Sequence, residues 1–371
     1  MYHLRDEFPI VREYVYLNHA AISPTPTFAL FEAFRYLYEV SQHGSLHVNK
    51  VEEGDFANLR KKMATFINAE PGEVSFVPNT SFGANMVIHG LNLGKGDVVL
   101  SDSLEFPSTV YPLYKLAQRG VNVKLVRAPP EELEDRLVEE IGEGVKLVSV
   151  SHVSFNTGVT LNAKRIAEAC RKVGALLLLD VIQSAGALKL DVKEMGADFV
   201  VAGGYKWMMS PQGSGFLYVR KGLVPDPPLY GWKSSSTYME FNAEKFSIEE
   251  GPRRFEIGTI DVAANLAMAS VAERLTPLRD EVERRVRELS GHAIDVAEDY
   301  GLEVITPKDR RAGIVVVKVD QPRKVAEELL ARRIVVSPRG EGIRISTHFY
   351  NTEDEVDKAL VAISQVRGRA R

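Results

Sequence analysis

The sequence predicts an α/β protein, with a large domain on a mostly parallel sheet and a smaller C-terminal α/β domain. Three observations carry this. Ala175-Leu-Leu-Leu-Leu-Asp180 is five apolar residues without alternation, which reads as a strand buried on both faces of a helix-covered parallel sheet. A second such run, Phe199-Val-Val-Ala202, follows after a further connection. A chain of 371 residues is also long for a single core, so two domains are expected.

Composition narrows the class. Apolar residues make up 45% and charged residues 26%, ordinary values for a soluble globular chain. The net charge of −4, from 46 basic and 50 acidic residues, and the lack of a basic stripe argue against nucleic-acid binding. No apolar stretch approaches membrane-spanning length, and the start, with Asp6, Glu7 and Pro9, lacks a signal-peptide pattern. One cysteine, Cys170, allows no internal disulfide. The expectation is a soluble, cytoplasmic protein that engages neither nucleic acid nor membrane.

Taken in order, Tyr14–Leu17 is a short apolar segment that breaks into a polar loop at Pro24 and Pro26, with a helix expected over Thr27–Val40. His43 and His47 have helical metal-ligand spacing, but Gly44-Ser45 between them argues against a shared helix and no third ligand is evident, so no metal is expected. Phe56, Leu59, Met63 and Phe66 recur at helical spacing over Asp55–Ala69. Glu73–Val77 reads as a strand ending at Pro78-Asn79-Thr80-Ser81-Phe82-Gly83, where a helix begins. Hydroxyls and free N–H groups at a helix start suit a phosphate, although ordinary capping by Thr80 or Ser81 would use the same hydroxyls. Strands follow at Asp97–Leu100, Val121–Val126 and Gly144–His152, then the helix Ala163–Val173, which carries Cys170 as a small buried thiol. Gly213–Val219 reads as the last strand of the large sheet. An irregular stretch leads to Phe255, and helices are expected over Asp261–Asp299 with a break near Pro277. Strands at Gly313–Val319 and Arg333–Val336, with helices Arg323–Ala331 and Asp354–Gln365, form the smaller domain.

The chemistry centres on Asp180 and Lys206. Each ends an apolar run, so both are expected at the carboxyl-end crevice where open α/β sheets bind ligands. Charges also end strands as plain solvated groups. Here two glycines precede Lys206 and Gln183 lies about one turn past Asp180. A buried carboxylate can keep a pyridine nitrogen protonated and a desolvated lysine can form a Schiff base, the pairing that pyridoxal phosphate needs.

Asp180-Val-Ile-Gln183-Ser-Ala-Gly186 and Gly203-Gly-Tyr-Lys206-Trp resemble the cofactor motifs of class V aminotransferase-type enzymes, a group of fold type I pyridoxal phosphate enzymes. It includes aminotransferases, cysteine desulfurases, kynureninases and epimerases of the isopenicillin N type. The resemblance, which runs over nearly the whole chain, implies a fold type I transferase whose large domain has a mostly parallel seven-stranded sheet. It also implies an N-terminal segment (1–17) packing on the small domain, a large cofactor-binding domain (18–258) and a small domain (259–371). By the same resemblance Lys206 carries the cofactor, Asp180 meets the ring nitrogen and Gln183 the phenolic oxygen. Asn156 also contacts that oxygen and Phe106 stacks on the ring. Thr80, Ser81, Tyr205 and a partner subunit's Thr259 hold the phosphate, with Phe82 also binding the cofactor, which implies a homodimer with shared sites. Relatives often have serine where Gly203 stands and histidine where Tyr205 and Phe106 stand. Arg344, assisted by Arg339, takes the substrate carboxylate, with His19, Ala20 and His47 lining the substrate pocket.

The expected activity is an amino acid:2-oxo acid aminotransferase acting on a small-molecule amino acid substrate. The alternatives are β-elimination of the cysteine desulfurase or selenocysteine lyase kind, epimerisation, and a non-catalytic pyridoxal-binding regulator. Persulfide-forming desulfuration is disfavoured because no cysteine lies between Asp299 and Arg371. A nicotinamide dehydrogenase would need a glycine fingerprint after an early strand, and none is present.

Overall fold

The structure, a computed structural model, describes residues 2–51, 54 and 56–369. The elements run β1 (Val15–Tyr16), α1 (Thr27–His43), α2 (Ser45–Lys50), α3 (Phe56–Ile67), β2 (Val74–Phe76), α4 (Thr80–Gly90), β3 (Val98–Asp102), α5 (Pro107–Ala117), β4 (Asn122–Val126), α6 (Leu133–Glu140), β5 (Val145–Ser151), α7 (Ala163–Val173), β6 (Leu176–Asp180), α8 (Val192–Met195), β7 (Phe199–Gly203) and β8 (Gly215–Val219). After three short 3₁₀ turns come α9 (Val262–Leu275), α10 (Arg279–Asp299), β9 (Ile314–Lys318), α11 (Pro322–Ala331), β10 (Ile334–Val335), β11 (Ser337–Arg339), β12 (Gly342–Ser346) and α12 (Glu353–Arg369).

The large sheet has seven strands in the order β2-β8-β7-β6-β5-β3-β4, all parallel except β8, which runs against both its neighbours. Its leucine run is buried on both faces as expected. Leu177 and Leu179 of β6 pack into one hydrophobic cluster with Met63 of α3 and Ile166 of α7, and Leu178 packs into another with Val87 of α4 and Leu113 of α5. The chain builds β4 outward from β3, then returns to the other side of β3 to build β5, β6 and β7. The direction of winding therefore reverses between β3 and β5, which opens the ligand crevice at their carboxyl ends.

The smaller unit pairs β11-β12-β9 antiparallel, with Val315, Val317, Ile343 and Ile345 packed against Leu360 and Ile363 of α12. The N-terminal segment joins it. β1 pairs in parallel with β10, Phe8 stacks on Tyr350 at 3.7 Å between centroids, and Arg5 pairs with Glu355 at 2.7 Å. Helix α9 packs on α1 and α3 within the large-sheet cluster, which extends to Val282 and Val286 of α10, while Leu289 onward belongs to the small-domain cluster. Packing changes core inside α10, which is one continuous helix touching both cores. The break near Pro277 is a single 3₁₀ turn, Thr276–Leu278.

Gly44, at φ +53°, separates α1 from α2, so His43 and His47 lie on different helices. Gly186 sits at φ +97°, and a Cβ there would stand 2.1 Å from the Trp207 carbonyl oxygen. Both left-handed backbone and backbone crowding therefore demand glycine. Gly186→Ala should destabilise the protein by about 2–4 kcal/mol. Denaturant unfolding measures this, and an unchanged midpoint would mean the turn can move away from Trp207.

Candidate active site

The lysine turn is held from three sides. β7 ends at Gly203, whose N–H donates to Thr80 Oγ1 at 2.9 Å, and the Gly204 N–H donates to the Ser214 carbonyl at 2.8 Å. A Cβ on Gly204 would lie 2.4 Å from Ser214 Oγ, which is why the backbone can pass there. Trp207, fully buried next to Lys206, donates its indole N–H to Gln183 Oε1 at 2.9 Å. Its carbonyl accepts from His348 Nε2 of the small domain at 2.9 Å. The Phe349 N–H donates to His348 Nδ1, which places the imidazole proton on Nε2. Gln183 in turn donates to the Ala20 carbonyl at 3.1 Å, and the Ala20 N–H donates to Ser346 Oγ. The N-terminal loop, both domains and the lysine turn thus meet in one hydrogen-bonded unit.

Asp180 and Lys206 face a common, nearly dry space, at 1% and 7% exposure. Asp180 Oδ1 accepts from the Ile182 N–H at 2.8 Å, and Oδ2 is buried with no partner. Burial pushes the carboxyl up to about 7; the Ile182 hydrogen bond opposes this, the Glu105 charge adds to it and the Lys206 charge opposes it. Burial brings the Lys206 amine down to about 8; Asp180 opposes this, and Arg344 and Arg339 push further the same way. The amine stands over the Phe106 ring at 5.4 Å and the Tyr205 ring at 5.9 Å from the centroids.

Arg344, on β12, is 1% exposed although it carries a guanidinium. Nη1 donates to the Phe155 carbonyl at 2.8 Å, while Nε and Nη2 are buried without partners. Burial and the neighbouring Arg339 lower it to about 9. Such a fork is shaped to receive a carboxylate bidentately.

At the start of α4 the cap is neither Thr80 nor Ser81, the two residues considered from sequence. Asn79 Oδ1 accepts the Phe82 N–H at 2.8 Å, because the residue before the first helical turn has the extended backbone that a cap requires. Thr80 Oγ1 accepts from Gly203 and keeps its own proton to donate, and Ser81 Oγ donates to Ser108 Oγ at 2.9 Å. The N–H groups of Thr80 and Ser81 are left without a protein acceptor at the positive end of the helix dipole. Tyr205 stands close by. A Cβ on Gly203 would meet Tyr205 Cε1 at 3.0 Å, so the tyrosine ring occupies the space that a serine at 203 would need. Thr259 is exposed in the loop before α9 and has no hydrogen bond to any described residue. That loop is anchored behind it by buried Arg254, which donates to four carbonyls, and by the Arg60–Glu256 pair at 2.5 Å.

Phe106 opens toward the lysine and meets Phe155 edge-on at 5.1 Å. Phe155 is the ring that the sequence reading passed over. Asn156 lies instead beside Gly340, its Oδ1 3.6 Å from where a Cβ on that glycine would be. His19 lies deep beside the lysine turn. It is fully buried, bonds Ser23 through Nδ1 at 2.8 Å, and is enclosed by Tyr16, Trp207, His348 and Tyr350 at 5.2–6.0 Å. Its Nε2 is buried without a partner among the described residues, and burial holds the ring well below its ordinary pKa. His47 packs on Tyr36 of α1 at 5.6 Å between centroids. The sequence reading also missed a buried acid group behind the site. Glu105 accepts from the Ser151 N–H, Ser151 Oγ and Thr109 Oγ1, and burial beside Asp102 raises it to about 8. The Glu at 105 directly after a strand end was the available signal.

The donors suit pyridoxal phosphate. The orphaned Asp180 Oδ2 can accept a pyridinium N–H, the N–H groups opening α4 can take a phosphate, and Gln183 Nε2 keeps one N–H to donate. The aminotransferase class-V family model matches residues 15–359. A probable cysteine desulfurase of Methanothermobacter thermautotrophicus is 27% identical over 98% of this chain and 98% of its own. An uncharacterised aminotransferase of Bacillus subtilis, YcbU, is 30% identical over 85% and 84%. The apo structure of a cysteine desulfurase from Thermococcus onnurineus NA1 superposes with a TM-score of 0.91 at 26% identity, covering 99% of this chain and 98% of that one.

The depressed lysine has a measurable signature. In the cofactor-free protein, labelling of Lys206 by an amine-selective reagent, located by peptide mapping, should titrate near 8 instead of the 10.5 of an ordinary lysine. Arg344→Gln, by removing a repelling cation, should move that midpoint upward. A wild-type midpoint near 10.5 would show that the amine is solvated.

Proposed function

Because the chain belongs to the aminotransferase class-V family of pyridoxal phosphate-dependent enzymes, we propose that it catalyses β-elimination from a sulfur-bearing amino acid and releases the sulfur as a small molecule. The relatives named cysteine desulfurase favour cleavage of a C–S bond over the amino acid:2-oxo acid transfer expected from sequence. The observation that selects elimination among C–S cleavages is the position of Cys170. This thiol, the chain's one cysteine, is 1% exposed on α7. Its charge environment is set by Asp198, at the start of β7, whose Oδ2 accepts the N–H of Leu177 at the start of β6. Cys170 therefore sits by the amino ends of the strands whose carboxyl ends carry Asp180 and Lys206. Burial pushes it up to about 12, so it offers no thiolate to receive sulfur.

The residues divide the work simply. Bound pyridoxal phosphate supplies an electron sink for the α-carbon of the substrate amine. Arg344 would hold the substrate carboxylate through Nε and Nη2, orienting the α-hydrogen toward Lys206. The Lys206 amine, neutral above about 8, takes that proton on Nζ. The Cβ–S bond then breaks with its electron pair on sulfur, and the three-carbon product hydrolyses to pyruvate and ammonia. Asp180, drawn to its ionised form by a cation against Oδ2, holds the ring nitrogen, and the closed surroundings of Trp207 exclude water from the lysine. The same reading makes the active unit a homodimer. Exposed Thr259 then serves the partner's phosphate, and the exposed apolar stripe Leu30, Phe31, Phe34 and Leu37 of α1 offers surface to cover.

Product analysis tests this. With L-cysteine or L-cystine, pyruvate and ammonia should appear together with sulfide or persulfide. Formation of alanine would mean desulfuration, and dependence on an added 2-oxo acid would mean transamination. Cys170→Ala should keep turnover within about twofold, since small changes at a buried site remote from the chemistry leave the barrier alone. Lys206→Ala should lose it by orders of magnitude. Mixing Lys206→Ala with Thr259→Arg subunits should restore activity if sites are shared; verified subunit exchange without recovery would exclude sharing.

A further inference from the structure

Phe106 stands where the start of a helix ordinarily places a polar cap. It is the residue before α5, with extended backbone and no side-chain hydrogen bond to the helix, and Pro107 follows as the first helical residue. A serine, threonine, aspartate or asparagine there would bind one of the helix's free N–H groups. The phenylalanine forgoes that bond, yet 40% of its surface stays exposed instead of joining a core. Its ring faces the Lys206 amine and meets the edge of Phe155. A position that breaks a local rule and gains little burial in return is a functional one. What fixes the ring is the residue before it. The Glu105 carboxyl gathers the Ser151 N–H at 2.5 Å, Ser151 Oγ at 2.8 Å and Thr109 Oγ1 at 2.9 Å. Ser151 ends β5 and faces Asp180 in the register of the β5–β6 pair. Thr109 lies in the first turn of α5, and its N–H and hydroxyl also reach the Phe106 carbonyl, at 3.3 and 3.2 Å. Asp102, at the end of β3 and 2% exposed, is within hydrogen-bond reach of the Glu105 carboxyl. Desolvation raises Glu105 to about 8 and Asp102 to about 6, so near neutral pH the pair keeps one proton, on Glu105.

We infer that Glu105 is a positioning residue for the cofactor site, one that binds the end of β5 and the first turn of α5 at once and thereby fixes the Phe106 ring relative to Asp180. The clamp works through its oxygens and its proton, as a neutral acid, and needs no charge. Phe106 is the group that meets the cofactor, and Glu105 acts through it. The inference rests on the cofactor being held beside Lys206 and not on the reaction proposed above. It is therefore tested by binding, without turnover.

Pyridoxamine phosphate is the probe, because it cannot bond covalently to Lys206, and its dissociation constant is read from the tryptophan fluorescence of the cofactor-free protein. Glu105→Ala should weaken binding about fivefold or more, the effect of one misplaced aromatic contact. Glu105→Gln keeps an acceptor for the Ser151 N–H and a donor for Asp102, so it should stay within about twofold of wild type. Phe106→Leu should weaken binding by a factor similar to that of Glu105→Ala. Adding Glu105→Ala to it should cost less than about a further twofold, since the ring that Glu105 places is gone. If Glu105→Ala does not fold, Thr109→Val combined with Ser151→Ala, which removes both hydroxyl arms, takes its place in the same cycle. Additive losses would overturn the inference, because Glu105 would then act independently of the ring. So would a Glu105→Gln variant as weak as Glu105→Ala, since charge would then be what matters, or a lowered denaturation midpoint with unchanged affinity, which would leave Glu105 a purely structural group. Elimination can fail in product analysis while this cycle stands, and the reverse.

Discussion

The immobilisation of Trp207 is the constraint from which the rest of the site follows. A lysine at a strand end has four rotatable bonds and, left alone, would reach for water. Here the next residue is pinned by its indole to Gln183 and by its carbonyl to His348, and Gly186 is small enough for that carbonyl to come close. These bonds reach 24 and 141 residues along the chain and come from opposite domains. The lysine backbone is therefore held by the same contacts that dock the small domain, which brings Arg344 of that domain within electrostatic reach of the amine.

Around that fixed point the protein leaves charges unsatisfied. Asp180 Oδ2, Arg344 Nε and Nη2, and Arg339 Nε have no partner among the described residues, although most buried polar atoms in a folded chain are paired. Their destabilising effect in the ligand-free protein is offset by cores that are ordinary and dry, the leucine-rich strands of the large sheet and the valine- and isoleucine-rich hairpin of the small one. Glu105 and Asp102 form a buried acid pair behind the ring site, and burial raises Glu105 to about 8, so it is held mainly protonated near neutral pH while the cations lie toward the small domain.

The sequence was most legible where one pattern had one physical meaning. Unbroken apolar runs gave β6 and β7, helical periodicity gave α3 and α7, and Pro277 gave the break between α9 and α10. Asp180, Gln183 and Lys206 were readable because their positions follow from strand ends. What stayed hidden depends on contacts between distant segments. The enclosure of His19 by Tyr16, Trp207, His348 and Tyr350 is one such case, since three of the four rings lie far along the chain. Phe155 and Asn156 are adjacent in a loop, and loop conformation alone decides which one meets Phe106. Asn79 outranked its hydroxyl neighbours as a cap because its backbone is the last extended one before the helix.

The burial of Cys170 has a consequence for the protein's own durability. With its thiol pushed to about 12, the thiolate at neutral pH is roughly one part in 10⁵. Persulfides, polysulfides and peroxides attack or are attacked through thiolates, and this chain presents them almost none. A catalyst surrounded by reactive sulfur would neither cap itself with its product nor crosslink to a neighbour through disulfides. Under the elimination proposed above it would also keep no sulfur on loan, and an acceptor would collect the released species from solution.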